Sequence, residues 1–188
     1  MRLVLASRNR HKLEELRSLL DPHEVVELRE GIELPPETGD SFAANAVPKA
    51  RAAATATGLP AIADDSGIEA VALGGLPGVR SARYAGETAT DEENLAKLLR
   101  EAPAGSALAY VCALAYVDEV GTEQVFEGRC SGTLTDHPRG DGGFGYDPAF
   151  LPDDIADGRT MAQLDPAEKD AISHRGRAVR ALLGRLQD

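Results

Sequence analysis

The sequence predicts an α/β domain built on a mixed sheet, and three observations carry that prediction. The chain opens as strand, loop, helix, strand. Two long stretches, residues 108–117 and 123–135, read as the strands of an antiparallel hairpin. A clean alternation of strand and helix is absent, so a purely parallel, doubly wound sheet is not expected. At 188 residues the chain is expected to form one domain, residues 1–188. Hydrophobic residues make up 43%, enough for a chain of this length to bury a substantial core.

The elements follow in order. Leu3-Val4-Leu5-Ala6 reads as a buried strand and Ser7-Arg8-Asn9-Arg10 as a loop. The helix after it places Leu13, Leu16, Leu19 and Leu20 on one face and stops at Asp21-Pro22. A second strand falls near residues 24–28, and Pro35-Pro36-Glu37-Thr38-Gly39 forms a stiff, irregular loop. Asp40 or Ser41 caps an alanine-rich helix that ends at Gly58. Pro48 lies inside that helix, where it removes a backbone hydrogen bond and is expected to kink or weaken it, at ~3 kcal/mol if unrelieved. Residues 60–63 form a short strand that ends at Asp64-Asp65-Ser66-Gly67, before a second apolar stretch at 68–73 and a turn at 74–78. Thr90 and Glu93 make a capping box for a helix reaching about Arg100. A glycine-rich loop, residues 140–147, follows the hairpin. The last helix starts near Ser173 and buries Val179, Leu182, Leu183 and Leu186.

The formal net charge is −11, which disfavours polymeric nucleic acid and anionic membranes as partners. A small anion remains possible, provided a few placed cations and backbone N–H groups make a locally positive site. Cys112 and Cys130 are the only cysteines; they form neither a zinc site nor a disulfide framework and read as reduced core thiols of a cytoplasmic protein. No signal peptide precedes the first strand, and no apolar run approaches the ~20 residues of a membrane helix.

Four segments could carry chemistry. Ser7-Arg8-Asn9-Arg10-His11-Lys12 stands between strand and helix, where exposed N–H groups attract phosphate. It reads equally well as an ordinary cap with a solvated lysine, and it is not a Walker loop. Asp64 and Asp65 repel one another at a strand end, and a divalent cation would remove that repulsion. Magnesium takes one or two carboxylates and completes its shell with water and substrate phosphates. An Asx-turn is the structural alternative, and Glu37 in the proline loop is a third carboxylate for the same ion.

Gly140-Asp141-Gly142-Gly143-Phe144-Gly145 matches the dinucleotide fingerprint in letters but lacks the strand before and the helix after. A loop folded over a flat ligand, with Phe144 stacking, fits better; a hairpin-end turn is the alternative. Finally, Glu168-Lys169 and Ser173-His174-Arg175-Gly176 precede and open the last helix, where cations oppose the helix dipole unless an anion or carbonyl answers them. Only four lysines occur, at 12, 49, 97 and 169, and three of them lie in or beside these segments.

Together these stretches resemble the noncanonical purine NTP pyrophosphatases, which cleave inosine and xanthosine triphosphates. The matching stretches include Leu5–Lys12, Glu37–Gly39, Phe42 with Asn45, Lys49-Ala50 and Ala63–Gly67. They continue through Gly74–Gly78, Ser81–Tyr84, Gly142–Pro148, Glu168-Lys169 and Ile172–Gly176, in the family's order over nearly the whole chain. The resemblance implies an elongated, two-lobed fold with a central mixed sheet and a cleft between the lobes, a homodimer, and a requirement for Mg²⁺. By position, Ser7, Asn9, Lys12 and Lys49 would hold the triphosphate, with Arg8, Arg10 and His11 in the same loop. Glu37 and Asp65 would serve the metal, Asp65 would accept the proton, Asp64 would support them, and Ser66 would touch substrate. Phe144, Gly145, Tyr146, Asp147, Lys169, His174 and Arg175 would form the base and ribose pocket. Pro48, before Lys49, departs from the family's apolar helix-former, and Arg80 stands where an aromatic or apolar residue is usual.

Two other readings compete. The septum-inhibition-type nucleotide pyrophosphatases, which act on dTTP and UTP, have a related architecture, but their opening Ser-Pro-Arg-Arg is missing here. A nucleotide sensor that binds without cutting would have no need of the carboxylate set Glu37, Asp64 and Asp65.

Overall fold

A computed structural model describes residues 1–187 as five α-helices and a six-stranded sheet in the order β2-β1-β3-β4-β5-β6. β1 (Arg2–Leu5) pairs in parallel with β2 (Glu24–Glu27) and with β3 (Ala61–Ala70), whereas β5 (Glu123–Leu134) pairs antiparallel with β6 (Phe150–Pro152). The sheet is therefore mixed, as the sequence predicts. β4 (Ala107–Val117) lies between β3 and β5. Among the described residues no helix is long and apolar enough to cross a membrane.

The chain divides into two compact units. The first holds residues 1–65 and 112–128 and the chain from Arg175 onward. Its core follows from the period of two along β1. Leu3 and Leu5 pack with Ile62, with Leu13, Leu16 and Leu20 at helix α1 (Arg10–Leu19), and with Ala178, Val179 and Leu182 of helix α5 (His174–Leu186). Val4 and Ala6 point the other way, onto Ala46, Ala50 and Ala53 of helix α2 (Phe42–Thr57). A parallel segment covered on both faces has no polar side to show, which explains the unbroken apolar run at its start. Each leucine buried this way contributes roughly 1.5–3 kcal/mol.

Ser41 caps α2 through its side chain, and Gly58 ends it in the left-handed conformation. Pro48 does not break it. The helix runs on through Thr57, forgoing one ladder bond, because Ala46, Ala50 and Ala53 remain fully buried on either side of the proline.

The second unit holds Ser66–Val111 and Arg129–His174. Its core joins Ile68, Leu95, Leu98, Tyr110, Leu134 and Phe150. Helix α3 (Asp91–Glu101) begins with both halves of the Thr90/Glu93 capping box. Helix α4 (Pro166–Ile172) was not foreseen, although Asp165, Pro166 and Glu168 supply a cap, a first-position proline and a capping box.

One expectation is corrected. Asp64-Asp65-Ser66-Gly67 does not end a strand; β3 passes through it without interruption from Ala61 to Ala70, and no Asx-turn occurs there. The reason is the pairing of each carboxylate, described next.

Candidate active site

Successive residues of a strand face opposite sides of the sheet, so Asp64 and Asp65 do not meet one another. Asp64 shares its face with Ile62, toward α1 and α5, and is fully buried. Its Oδ2 accepts from Lys12 Nζ at 3.1 Å and from Arg175 Nη2 and Nε at 2.9 and 3.2 Å. Arg175 is itself clamped on the other side by Glu15. Burial would push the Asp64 carboxyl up, but Lys12, Arg175 and Lys49 outweigh it and hold it well below the usual carboxylate range. Cys112 is buried in the same neighbourhood, and desolvation first, then the Asp64 charge, pushes its thiol up to about 12, so it is no nucleophile.

Asp65 faces the α2 side with Ala61 and Ala63. Its Oδ2 accepts from the neutral Asn45 amide at 2.8 Å. Its pKa is raised, chiefly by burial and further by the Glu37 charge, against the pull of Asn45, Lys49 and Lys12. Asn45 and Lys49 are one helical turn apart on the buried stripe of α2. Asn45 Oδ1 accepts the Gly39 N–H at 2.7 Å, which ties down the loop carrying Glu37. A Cβ at Gly39 would lie 2.7 Å from the Ala44 Cβ, so only glycine allows the loop this close. Lys49 Nζ reaches Glu37 Oε1 at 2.5 Å and the Asp64 carbonyl at 2.9 Å.

The opening loop folds as a cap. Ser7 Oγ accepts the Asn9 N–H, and Asn9 Oδ1 accepts the Lys12 N–H, each at 3.2 Å. Arg10 and His11 are exposed, and Arg8 donates to the Ile32 carbonyl at 2.9 Å. The first unit thus gathers Ser7, Asn9, Lys12, Glu37, Lys49, Asp64, Asp65 and Arg175.

A second cluster forms within the other unit. Asp147 is buried; Lys169 Nζ donates to its Oδ2 at 2.8 Å, the Phe144 N–H to the same oxygen at 3.1 Å, and the Tyr110 hydroxyl to Oδ1 at 2.9 Å. Lys169 Nζ also lies 5.0 Å from the Phe144 ring centroid. His174 stacks on Tyr110. The Gly145 N–H donates to Asp91 at 2.8 Å, and the Tyr146 hydroxyl donates to the Ser81 carbonyl at 2.7 Å. Ser66 is half-buried on β3. The glycine loop lies against its own protein. Cβ atoms at Gly140 and Gly142 would fall 2.6 and 2.8 Å from the Ala162 backbone.

Arg175 is not gathered with His174, Lys169 and Asp147; it stands beside Asp64 in the first unit. The anions that answer its charge near the helix start are the protein's own Asp64 and Glu15. Sequence reasoning passed over Glu15 and gave Asn45 no role. Glu15 sits three residues after Lys12 on α1, which was its only local signal.

A model of the Ham1 family matches residues 3–185. A dITP/XTP pyrophosphatase of Mycolicibacterium paratuberculosis is 52% identical, with 98% of this chain and 95% of that protein covered. Among solved structures, a HAM1 protein from Coxiella burnetii superposes with a TM-score of 0.88 at 41% identity, covering 100% of this chain and 98% of that one. A nucleoside-triphosphatase, dITP/XTP pyrophosphatase, from Mycobacterium abscessus gives a TM-score of 0.75 at 47% identity, with 97% and 99% covered.

Proposed function

This chain belongs to the Ham1 family, and on that premise we propose that it hydrolyses the purine nucleoside triphosphates XTP, ITP and dITP to the monophosphate and pyrophosphate, with Mg²⁺. The observation that carries the reading is the unequal treatment of two adjacent carboxylates. Asp64 is paired with Lys12 and Arg175 through Oδ2 and held well below the usual carboxylate range, while Asp65 has a neutral amide partner and a raised pKa beside Glu37. A proton acceptor gains from a pKa moved toward the working pH.

Glu37 and Asp65 suit a magnesium ion. Among the described residues no group of three or more His, Cys, Asp or Glu could hold a metal. Magnesium needs only one or two carboxylates when substrate phosphates and water complete its shell. Glu37 adds to the raised Asp65 pKa, and a bound divalent charge would relieve that repulsion. Held by Glu37 and Asp65, the ion would supply positive charge to the substrate phosphates.

The chain's own groups do the rest. Asp65 orients a water for attack at the α-phosphorus and takes its proton. Asp64 keeps Lys12 aimed, and Lys12, Lys49, Ser7, Asn9 and the N–H groups at the start of α1 receive the triphosphate. Arg8, Arg10 and His11, from the same segment, add further contacts to the substrate. Ser66, Phe144, Gly145, Tyr146, Asp147, Lys169 and His174 serve the base and ribose, whereas Arg175 holds Asp64 and Glu15 in place. A donor from His174 matches the C6 carbonyl of hypoxanthine or xanthine and leaves the adenine amino group unanswered, a mismatch that can discriminate by ~10⁴. We read residues 1–188 as one functional domain, supported by the span of the family match. We also read the enzyme as a cytoplasmic homodimer acting on free nucleotides. The resemblance supports the dimer, and a net charge of −11 fits partners other than nucleic-acid polymers or membranes.

The test is pyrophosphate release from ITP, XTP, ATP, dTTP and UTP, with magnesium and with chelator. Rapid release from ITP and XTP, lost on chelation, is expected. Equal rates for ITP and ATP refute the pocket, preference for dTTP or UTP reassigns the substrate, and binding without release leaves a sensor.

A further inference from the structure

We propose that Tyr110 is a positioning residue for base recognition, fixing the Asp147 carboxylate and the His174 ring relative to one another; this rests on the reading of their cluster as the purine pocket. Tyr110 projects from the middle of β4 and is 7% exposed. Its hydroxyl donates to Asp147 Oδ1 at 2.9 Å. Its ring lies parallel to His174, with centroids 4.7 Å apart and planes 9° from each other. Phe150 braces the same ring at 4.8 Å and 53°. One side chain on a strand therefore holds a carboxylate by its polar end and an imidazole by its face.

The carboxylate in turn sets the aromatic that would stack on the base. Asp147 Oδ2 accepts the Phe144 N–H and the Lys169 ammonium, and Lys169 stands over the Phe144 ring. The loop comes this close because residue 143 has no side chain. A Cβ at Gly143 would lie 2.0 Å from Asp147 Oδ2, and its φ of +69° favours glycine independently. Burial and the Asp147 charge push the Tyr110 phenol well up, so it remains a donor throughout the neutral range. Removing the hydroxyl strips a buried carboxylate oxygen of its donor and loosens the tether on Phe144. It leaves Lys12, Lys49, Asp64 and Asp65 untouched. The loss belongs in base binding and not in phosphoryl chemistry.

The experiment compares wild type, Tyr110→Phe, Asp147→Asn and the double variant by steady-state ITP hydrolysis and by IMP titration. Loss of one donor to a buried carboxylate should raise KM for ITP and weaken IMP by roughly tenfold, with kcat within about twofold. The double variant should be no worse than Asp147→Asn alone, because the hydroxyl works through that carboxylate. Tyr110→Leu, which also takes the ring away from His174, should weaken IMP further. An unchanged KM in Tyr110→Phe, a fall in kcat instead, or additive losses in the double variant overturns the proposal. If wild type releases no pyrophosphate from ITP, the activity reading fails by itself, and the IMP titration decides. Weaker IMP in Tyr110→Phe sustains the positioning role, and equal affinity overturns it. Wild type that does not bind IMP overturns both.

Discussion

Among the described residues, one buried carboxylate centre lies in each unit, and the two are built to different ends. Around Asp147, every contact holds: a phenol, an ammonium and a backbone N–H share its two oxygens. Around the β3 pair, holding and readiness are divided between neighbours. Asp64 takes Lys12 and Arg175, and Asp65 accepts from a neutral amide and lies near a like charge. A carboxylate surrounded by cations is stable and chemically inert. One desolvated beside a like charge is ready to take a proton or a metal. The strand's alternation allows both within two residues, because each side chain meets a different set of helices.

The difference between the two centres is tested most directly at Asp65. Asp65→Asn should cut kcat by roughly 10²–10⁴-fold while the thermal midpoint stays near wild type, since it also removes repulsion with Glu37. Near wild-type turnover would end its role as base. The opposite signature is expected next door. Arg175→Met leaves Asp64 and Glu15 buried or half-buried without their shared cation, and should cost about 3–5 kcal/mol in denaturant unfolding. If that variant unfolds at the same denaturant concentration as wild type, Asp64 is not held as described.

The smallest effect is alkaline. The folded Tyr110 phenol is raised well above its ordinary value, so its contribution is complete below the unfolded pKa of about 10 and declines as pH climbs past it. Unfolding followed between neutral pH and the alkaline limb should show a flatter decline in Tyr110→Phe than in wild type. Parallel curves would mean that the hydroxyl is not locked in the folded state.

Much of this was legible in the sequence where the signal is local. Ser41 and Gly58 bracket α2, and Thr90 with Glu93 opens α3, because caps are short-range chemistry. The β3 run was misread for the same reason: two aspartates before Ser-Gly look like a turn until Lys12, Lys49, Arg175 and Asn45 are brought to them. The Arg175–Glu15 bond spans 160 residues of sequence, and no spacing rule reaches that far. The glycine loop was identified as a tight approach, but its nearest neighbours are the Ala162 backbone and Asp147, facts that belong to packing. Helix α4 was missed although its cap was in plain view, since seven residues give too little periodicity to register.

The Asn45 side chain has a consequence of its own. An amide has two unlike ends, and here each is matched: the oxygen meets the Gly39 N–H and the nitrogen meets the Asp65 carboxylate. It can sit only one way round. An aspartate of the same outline would keep the grip on Gly39 but turn a third negative oxygen toward Asp65, and a leucine would let go of both. The polarity of one uncharged group thus keeps the glutamate loop and the strand carboxylate in register before any ion or nucleotide arrives.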